Sequence, residues 1–292
     1  MHLLLTFGII LFCSWGLATH ADEPTDKGAY LAAAGSCYGC HTDVKNGGKP
    51  FAGGRALPTP FGVFYTPNIT SDAETGIGGW SDEDFVNALH DGIGREGHPL
   101  FPAFPYPSYT KMTTEDALAI KSYLMSVSKV NSPNKEHDVS APFSWRWLQW
   151  GWRLMFFNEG RYSAPPDTPA PVARGGYLVE ALAHCGECHT PRNFLGGTDM
   201  SLYLAGSASG GEGEIVPNIT PDPETGIGDW SEADLVSFMK DGMKPDFDNV
   251  QGTMGEVIEH SLSKLTDEDL TAIARYLKSI KPINNKVEKS SP

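Results

Sequence analysis

Cys37-Tyr38-Gly39-Cys40-His41 and Cys185-Gly186-Glu187-Cys188-His189 are two copies of one pattern, C-x-x-C-H, set 148 residues apart. On a helical turn, positions i, i+3 and i+4 share a face, so each copy turns two thiols and an imidazole to the same side. This spacing is the attachment signature of a c-type haem, with Cys37, Cys40, Cys185 and Cys188 as thioether positions and His41 and His189 as iron ligands. Zinc fits less well, because Cys-Cys-His lacks the fourth protein ligand of a structural site. A thioredoxin-like redox pair needs a βαβ setting that the sequence does not offer.

The repeat continues outward from these motifs. At an offset of 150, Pro67-Asn68-Ile69-Thr70 returns as Pro217-Asn218-Ile219-Thr220, Glu74 to Gly78 returns as Glu224 to Gly228, and Trp80-Ser81 returns as Trp230-Ser231. A duplication of this period predicts two homologous domains, 22–130 and 172–285, joined by a connector over 131–171. Each copy reads as a helix entering the motif, a long loop, and two capped helices. Ser81 with Asp84, Ser231 with Asp234, Thr113 with Asp116 and Thr266 with Asp269 are the S/T-x-x-D patterns that satisfy the free amides of a first turn. Apolar stripes at helical spacing, Leu118 with Tyr123 and Leu124, and Leu270 with Ile273, Tyr276 and Leu277, predict core faces. Asn68 and Asn218 also match glycosylation acceptors, but their duplication at equal places favours a structural role. Trp80 and Trp230 are candidate partners for haem propionates, with aromatic packing as the alternative.

Of the 292 residues 40% are hydrophobic, which leaves material for packed cores and excludes intrinsic disorder. Gly 32 and Pro 22 predict much turn and loop. A core this thin implies that the haem supplies part of the buried apolar surface, so the apo-chain is expected to fold poorly. Lys+Arg 22 against Asp+Glu 36 gives a net charge of -14, which argues against nucleic acid and anionic membranes and suits a basic partner protein. The apolar run Leu3 to Leu17 followed by small residues reads as an export signal over 1–21, so Cys13 is expected to be lost with it and no disulfide framework remains.

Within the connector, Trp145, Trp147, Trp150, Trp152, Phe156 and Phe157 are too short a run to span a membrane and are interrupted by Arg146 and Arg153. They read as an inter-domain helix buried on both sides, or as a docking surface. The stretch Ala164 to Pro171 reads as Pro-rich linker.

The distal side separates the copies. Met254 is the candidate thioether ligand for the second haem, with Met239 and Met243 as nearer alternatives whose place in or just after the middle helix points to core packing. Its counterpart in the first copy is Phe104, which cannot bind iron. Met112 is then the methionine candidate, His98 would make a bis-histidine haem, and an open iron is the third alternative.

The chain resembles the c-type cytochrome subunits of periplasmic dehydrogenases, the group that includes the cytochrome subunit of membrane-bound alcohol dehydrogenase and related aldehyde and N-heterocycle dehydrogenases. The resemblance rests on Tyr65 to Thr70, the Glu74 to Trp80 loop, Leu100-Phe101-Pro102-Ala103-Phe104-Pro105-Tyr106, and Gly175-Gly176-Tyr177-Leu178 leading to His189-Thr190-Pro191-Arg192. It implies an all-α chain of two tandem class I cytochrome c-like domains with an aromatic-rich helical connector and two covalent haems. It further implies a periplasmic relay that takes electrons from a partner dehydrogenase and passes them to an oxidase, quinone or another cytochrome of a respiratory chain. Two departures stand out: the alcohol dehydrogenase type carries three haem motifs, and its Pro-Ala-Met-Pro-Tyr ligand segment is here Pro102-Ala103-Phe104-Pro105-Tyr106. The alternative is a dihaem enzyme, peroxidase or thiol-oxidising, with a reactive first haem.

Overall fold

The computed structural model describes residues 23–210 and 213–288. The expected export signal, with Cys13, lies outside them. In chain order the elements are α1 (Glu23–Ala34), α2 (Cys37–His41), β1 (Ala56–Thr59), β2 (Gly62–Tyr65), α3 (Asp82–Asp91), α4 (Tyr106–Tyr109), α5 (Thr114–Ser126), β3 (Asp138–Val139), α6 (Leu148–Phe156), α7 (Ala170–Tyr177), α8 (Gly186–His189), α9 (Glu232–Asp241), α10 (Gly252–His260) and α11 (Asp267–Ser279). All four expected caps are formed: the Ser81, Ser231, Thr113 and Thr266 hydroxyls accept from the amides of Asp84, Asp234, Asp116 and Asp269. The two serine caps are reciprocal boxes, the aspartate returning to the serine amide.

The helix that leads into each motif crosses the last helix of its own half, α1 against α5 and α7 against α11. A glycine sits at each crossing because nothing larger fits. A Cβ on Gly28 would lie 2.0 Å from the Ala119 carbonyl oxygen, and one on Gly175 would lie 1.9 Å from that of Ala272. Gly175 stands one residue further from its motif than Gly28 does, and the chain absorbs the extra residue as a π-helical turn, Leu178–Leu182, closed by Ala183 N–H on Leu178 O at 2.7 Å.

The two halves join through a reciprocal exchange at the N-termini of their last helices. Tyr30 of α1 donates to Asp269 Oδ2 of α11 at 2.5 Å, and Tyr177 of α7 donates to Asp116 Oδ2 of α5 at 2.5 Å. Each of these carboxylates also takes a cation from its own half, Arg174 on Asp269 and Lys27 on Asp116. The buried apolar side chains form one continuous cluster through both halves, from Leu31, Ile120 and Leu124 to Leu178, Leu270, Ile273 and Leu277.

The chain is mostly helical, as expected, with one addition to the all-α reading: a three-stranded antiparallel sheet, β1-β2-β3, with Leu57 opposite Phe64 and Gly62 opposite Val139. The strands are short, with β-formers concentrated in β2 as Val63, Phe64 and Tyr65, and they close because Gly62 takes φ 128 at the turn, a conformation other residues avoid. Phe64 seals the sheet against Phe101 and His137, with ring centroids 5.1 Å away in both cases.

The connector also departs from the sequence reading. Trp152 of α6 turns inward, its indole donating to Leu195 O at 3.0 Å, and Arg153 lies over the Phe157 ring at 4.5 Å. The opposite face is open, with Trp147 66% and Leu154 89% exposed, so α6 is buried on one side and not on two. Helix α7 starts at Ala170, inside the stretch read as linker, because Pro171 falls in a first turn, where a missing amide costs nothing. Among the described residues no helix is long and apolar enough to cross a membrane.

One buried histidine sets a pH response of the fold. His90 at the end of α3 is buried, and its Nδ1 accepts from Arg161 Nη2 at 2.6 Å. Burial first, then the Arg161 charge, pushes its pKa down to about 4. An unfolded histidine titrates near roughly 6.5, so as pH falls below that value the unfolded chain takes up a proton that the folded chain refuses. Stability present above that pH is therefore lost as pH falls towards 4, by at most about 1.4 kcal/mol per pH unit. We expect His90→Gln to lose less stability than the parent chain in denaturant melts taken at about pH 7 and about pH 5. Equal losses would contradict this assignment.

Candidate haem-binding site

Each C-x-x-C-H segment is a short helix that follows a residue in the left-handed region, Ser36 at φ 54 and His184 at φ 41. The turn reverses the chain so that α2 and α8 leave their entry helices at an angle. The imidazoles are held identically: Nδ1–H of His41 donates to the Pro67 carbonyl and that of His189 to the Pro217 carbonyl, both at 2.8 Å. These bonds fix the tautomer and leave each Nε2 as the basic nitrogen, the arrangement a metal-binding imidazole needs. Burial lowers both pKa values, that of His189 to about 4, so both rings are neutral.

The proline carbonyls reach the imidazoles because a glycine lets two backbones touch. A Cβ on Gly53 would lie 2.5 Å from the Pro67 carbonyl carbon, and one on Gly206 would lie 2.8 Å from that of Pro217. Gly53 and Gly206 in turn donate to the carbonyls of His41 and His189, at 2.9 and 2.7 Å. Beyond each proline, Asn68 and Asn218 are buried. Their side chains donate to Val130 O and Ile283 O, both at 2.7 Å, tying the loop to the chain that leaves the last helix of the same half. The structural reading of these asparagines holds, and a glycan has no access to them.

Burial pushes the pKa of Cys37 and of Cys185 up to about 12, so neither is a ready thiolate. None of the four cysteines forms a disulfide. Among the described residues no group of three or more His, Cys, Asp or Glu side chains converges to hold a metal ion. Two thiols and a neutral imidazole on one helical face, with the imidazole fixed from behind, fit a covalently held haem.

The distal candidates are spread over different settings. Met254 lies in the first turn of α10, partly buried against the second-half core. Met112 is 1% exposed and sits in the core, one turn beyond Tyr109, where the second half has the buried Leu265. His98 is exposed on the turn between α3 and α4. Met239 is buried and Met243 is exposed. Phe104, at the place of Met254, meets Tyr109 with ring centroids 5.5 Å apart. Trp80 and Trp230 are half-buried, the latter edge-on to Phe238 at 5.5 Å.

Two residues near the motifs escape sequence reasoning. Tyr109 of α4 is buried and donates to Gly35 O at 2.8 Å, two residues before Cys37. His184, immediately before Cys185, stands edge-on to the Tyr109 ring with centroids 5.5 Å apart, and its Nε2 is sealed from solvent without a hydrogen-bond partner. The one available signal was His184 itself, where the first copy carries Ser36.

Residues 25–128 match the family described as cytochrome c. Over 286 residues the chain is 43% identical to the gluconate 2-dehydrogenase cytochrome c subunit of Pantoea cypripedii, covering 95% of this chain and 64% of the relative. It is 42% identical over 265 residues to the cytochrome c subunit of the quinone alcohol dehydrogenase of Gluconacetobacter polyoxogenes, covering 88% of this chain and 56% of the relative. A dihaem c-type cytochrome of Cereibacter sphaeroides is 38% identical over 260 residues, with 88% of this chain and 86% of the relative covered. The chain thus spans a little over half the length of the two dehydrogenase subunits and most of the dihaem cytochrome.

Proposed function

The chain belongs to the c-type cytochrome family, in the group with the cytochrome c subunits of alcohol and gluconate dehydrogenases and a dihaem cytochrome c, and we propose that it is an exported dihaem electron carrier. In this reading residues 22–130 and 172–285 are tandem haem domains. It acts in the periplasm, receiving single electrons from a dehydrogenase subunit and passing them to an oxidase, a quinone or another cytochrome. When bound, the haem would supply a one-electron ferric/ferrous couple. Cys37, Cys40, Cys185 and Cys188 would anchor it, His41 and His189 would bind its iron, and Met254 in the second half and Met112 in the first are the candidates to complete the binding, with His98 as the alternative to Met112. The observation that carries the reading is the duplicated imidazole, fixed through Nδ1 on a proline carbonyl at 2.8 Å in both halves. The acidic surface steers encounter with a basic patch on a partner. To test it, the holoprotein is mixed with a gluconate or alcohol dehydrogenase catalytic subunit and its substrate. Optical reduction of the haems is expected. No reduction by either subunit, when dithionite reduces the same sample fully, contradicts the carrier role.

Phe104, where the second half has Met254, favours a second reading as an enzyme whose first haem has an open iron. Carbon monoxide titration of the fully reduced holoprotein separates the two. The carrier reading expects no binding by the parent chain and one equivalent by Met112→Leu. One equivalent bound by the parent chain supports the enzyme, to be followed by peroxide turnover with an artificial donor.

A further inference from the structure

We propose that Tyr109 and His184 form the contact through which electrons cross between the two haem attachment segments; this rests on the dihaem reading above. Each segment meets an element of the opposite half at the join. Tyr38 of the first motif meets His260 of α10, with ring centroids 5.2 Å apart. The carbonyl of Gly39 accepts from Arg55 Nη1 at 2.7 Å, and Arg55 Nη2 pairs with Glu256 of α10, also at 2.7 Å. From the other side, Glu187 of the second motif accepts from Ser108 Oγ of α4 at 2.6 Å. The inner residues of each motif are thus covered by the opposite half.

At the centre of this join the bonded and packed connections form one short series. His184 is covalently next to Cys185. Its ring meets the Tyr109 ring edge-on at 5.5 Å, and the Tyr109 hydroxyl donates to Gly35 O at 2.8 Å. A Cβ built on Gly35 would lie 3.6 Å from Cys37 Sγ and 3.9 Å from the Tyr109 oxygen, which places the phenol and the first thioether position around one small space. Burial raises the Tyr109 pKa well above that of a free phenol and lowers that of His184, so both rings stay neutral and the series carries no charge that would trap the electron. In each crossing one centre loses one electron and the other gains it, with no bond broken and no proton transferred. Nε2 of His184 is buried without a hydrogen-bond partner, and the first half has a plain serine, Ser36, at the matching positive-φ position.

The test uses purified holoprotein of the parent chain, Tyr109→Phe, His184→Ser and the double variant. Serine already occupies the matching left-handed position, so His184→Ser keeps the backbone. Less than one electron per molecule is injected by pulse radiolysis, and its redistribution between the haems is followed optically. Haem content, equilibrium potentials and the dipolar EPR coupling of the oxidised haems are recorded on the same samples. Each single variant is expected to redistribute electrons about tenfold more slowly, with potentials and EPR coupling unchanged. The double variant is expected to be no slower than the slower single one, as two links of one route require. Tyr123→Phe, a hydroxyl deletion in the Phe51 contact, is expected to match the parent chain. Parental rates in variants that hold two haems overturn the proposal, as do shifted potentials, altered EPR coupling or an equal slowing in Tyr123→Phe. Fewer than two haems in the parent chain overturns the underlying dihaem reading instead.

Discussion

The double variant Cys185→Ser, Cys188→Ser is expected to hold one covalent haem per chain where the parent holds two, and to lose amide protection in the second half. Both losses follow from how the site is built. The thioethers are the only covalent ties of the C-x-x-C-H arrangement to its haem, and the first motif has its own pair and its own fixed imidazole, His41 on Pro67 O. The second half should therefore empty alone. Val257, Ile219 and Met254 are only partly buried by protein atoms, and on the dihaem reading they are apolar surface that the second haem would cover. Voids of this kind are costly because the walls relax only in part. Haemochromogen spectra for the count, and hydrogen exchange over α8 and α10 against α2 and α3, measure both effects. Two haems remaining would show that the second motif is not an attachment site. Protection lost equally in both halves would show that neither folds without the other's haem.

Gly175→Ala is expected to produce the largest loss of stability from a single methyl group. Its Cβ would lie 1.9 Å from the Ala272 carbonyl oxygen and 2.8 Å from Tyr276 Cβ. The nearest obstacle is backbone in the middle of α11, so the helices must separate. Overpacking of a tight core costs roughly 1–3 kcal/mol and occasionally more, and a backbone obstacle belongs at the upper end. Separation also moves Tyr276, whose hydroxyl donates to Glu180 at 2.5 Å, and strains the Arg174 to Asp269 pair at the join of the halves. A denaturation midpoint close to that of the parent chain would mean that the crossing is looser than the geometry states. Gly28→Ala, 2.0 Å from Ala119 O, provides the matching measurement in the first half.

What the sequence made legible was whatever is local. The motifs and four caps depend on residues three and four apart, so Cys37 with His41 and Ser81 with Asp84 could be read directly. The duplication adds the loop anchors, because Asn68 and Asn218 stand at equal places in the two copies. Pairings across hundreds of residues leave no such signature. Tyr30 meets Asp269 across 239 positions, and nothing in the local pattern marks either residue. The small sheet escaped for a similar reason, since its third strand is only Asp138–Val139 and exists through pairing with β2. Of the two readings of the connector, burial on both sides fails, because apolar residues on most faces of α6 do not say which faces meet protein, and one face alone does; the docking-surface alternative is left open. His184 was passed over because a histidine beside a cysteine has no meaning until Tyr109, 75 positions earlier, is placed against it.

The most direct test of the dihaem carrier is a reductive titration of the intact, purified holoprotein, combined with haemochromogen determination of covalent haem per chain. The account predicts two covalent haems and two electrons taken up reversibly per chain, with no haem released under denaturing conditions. A single haem, or two haems of which only one exchanges electrons reversibly, would contradict it.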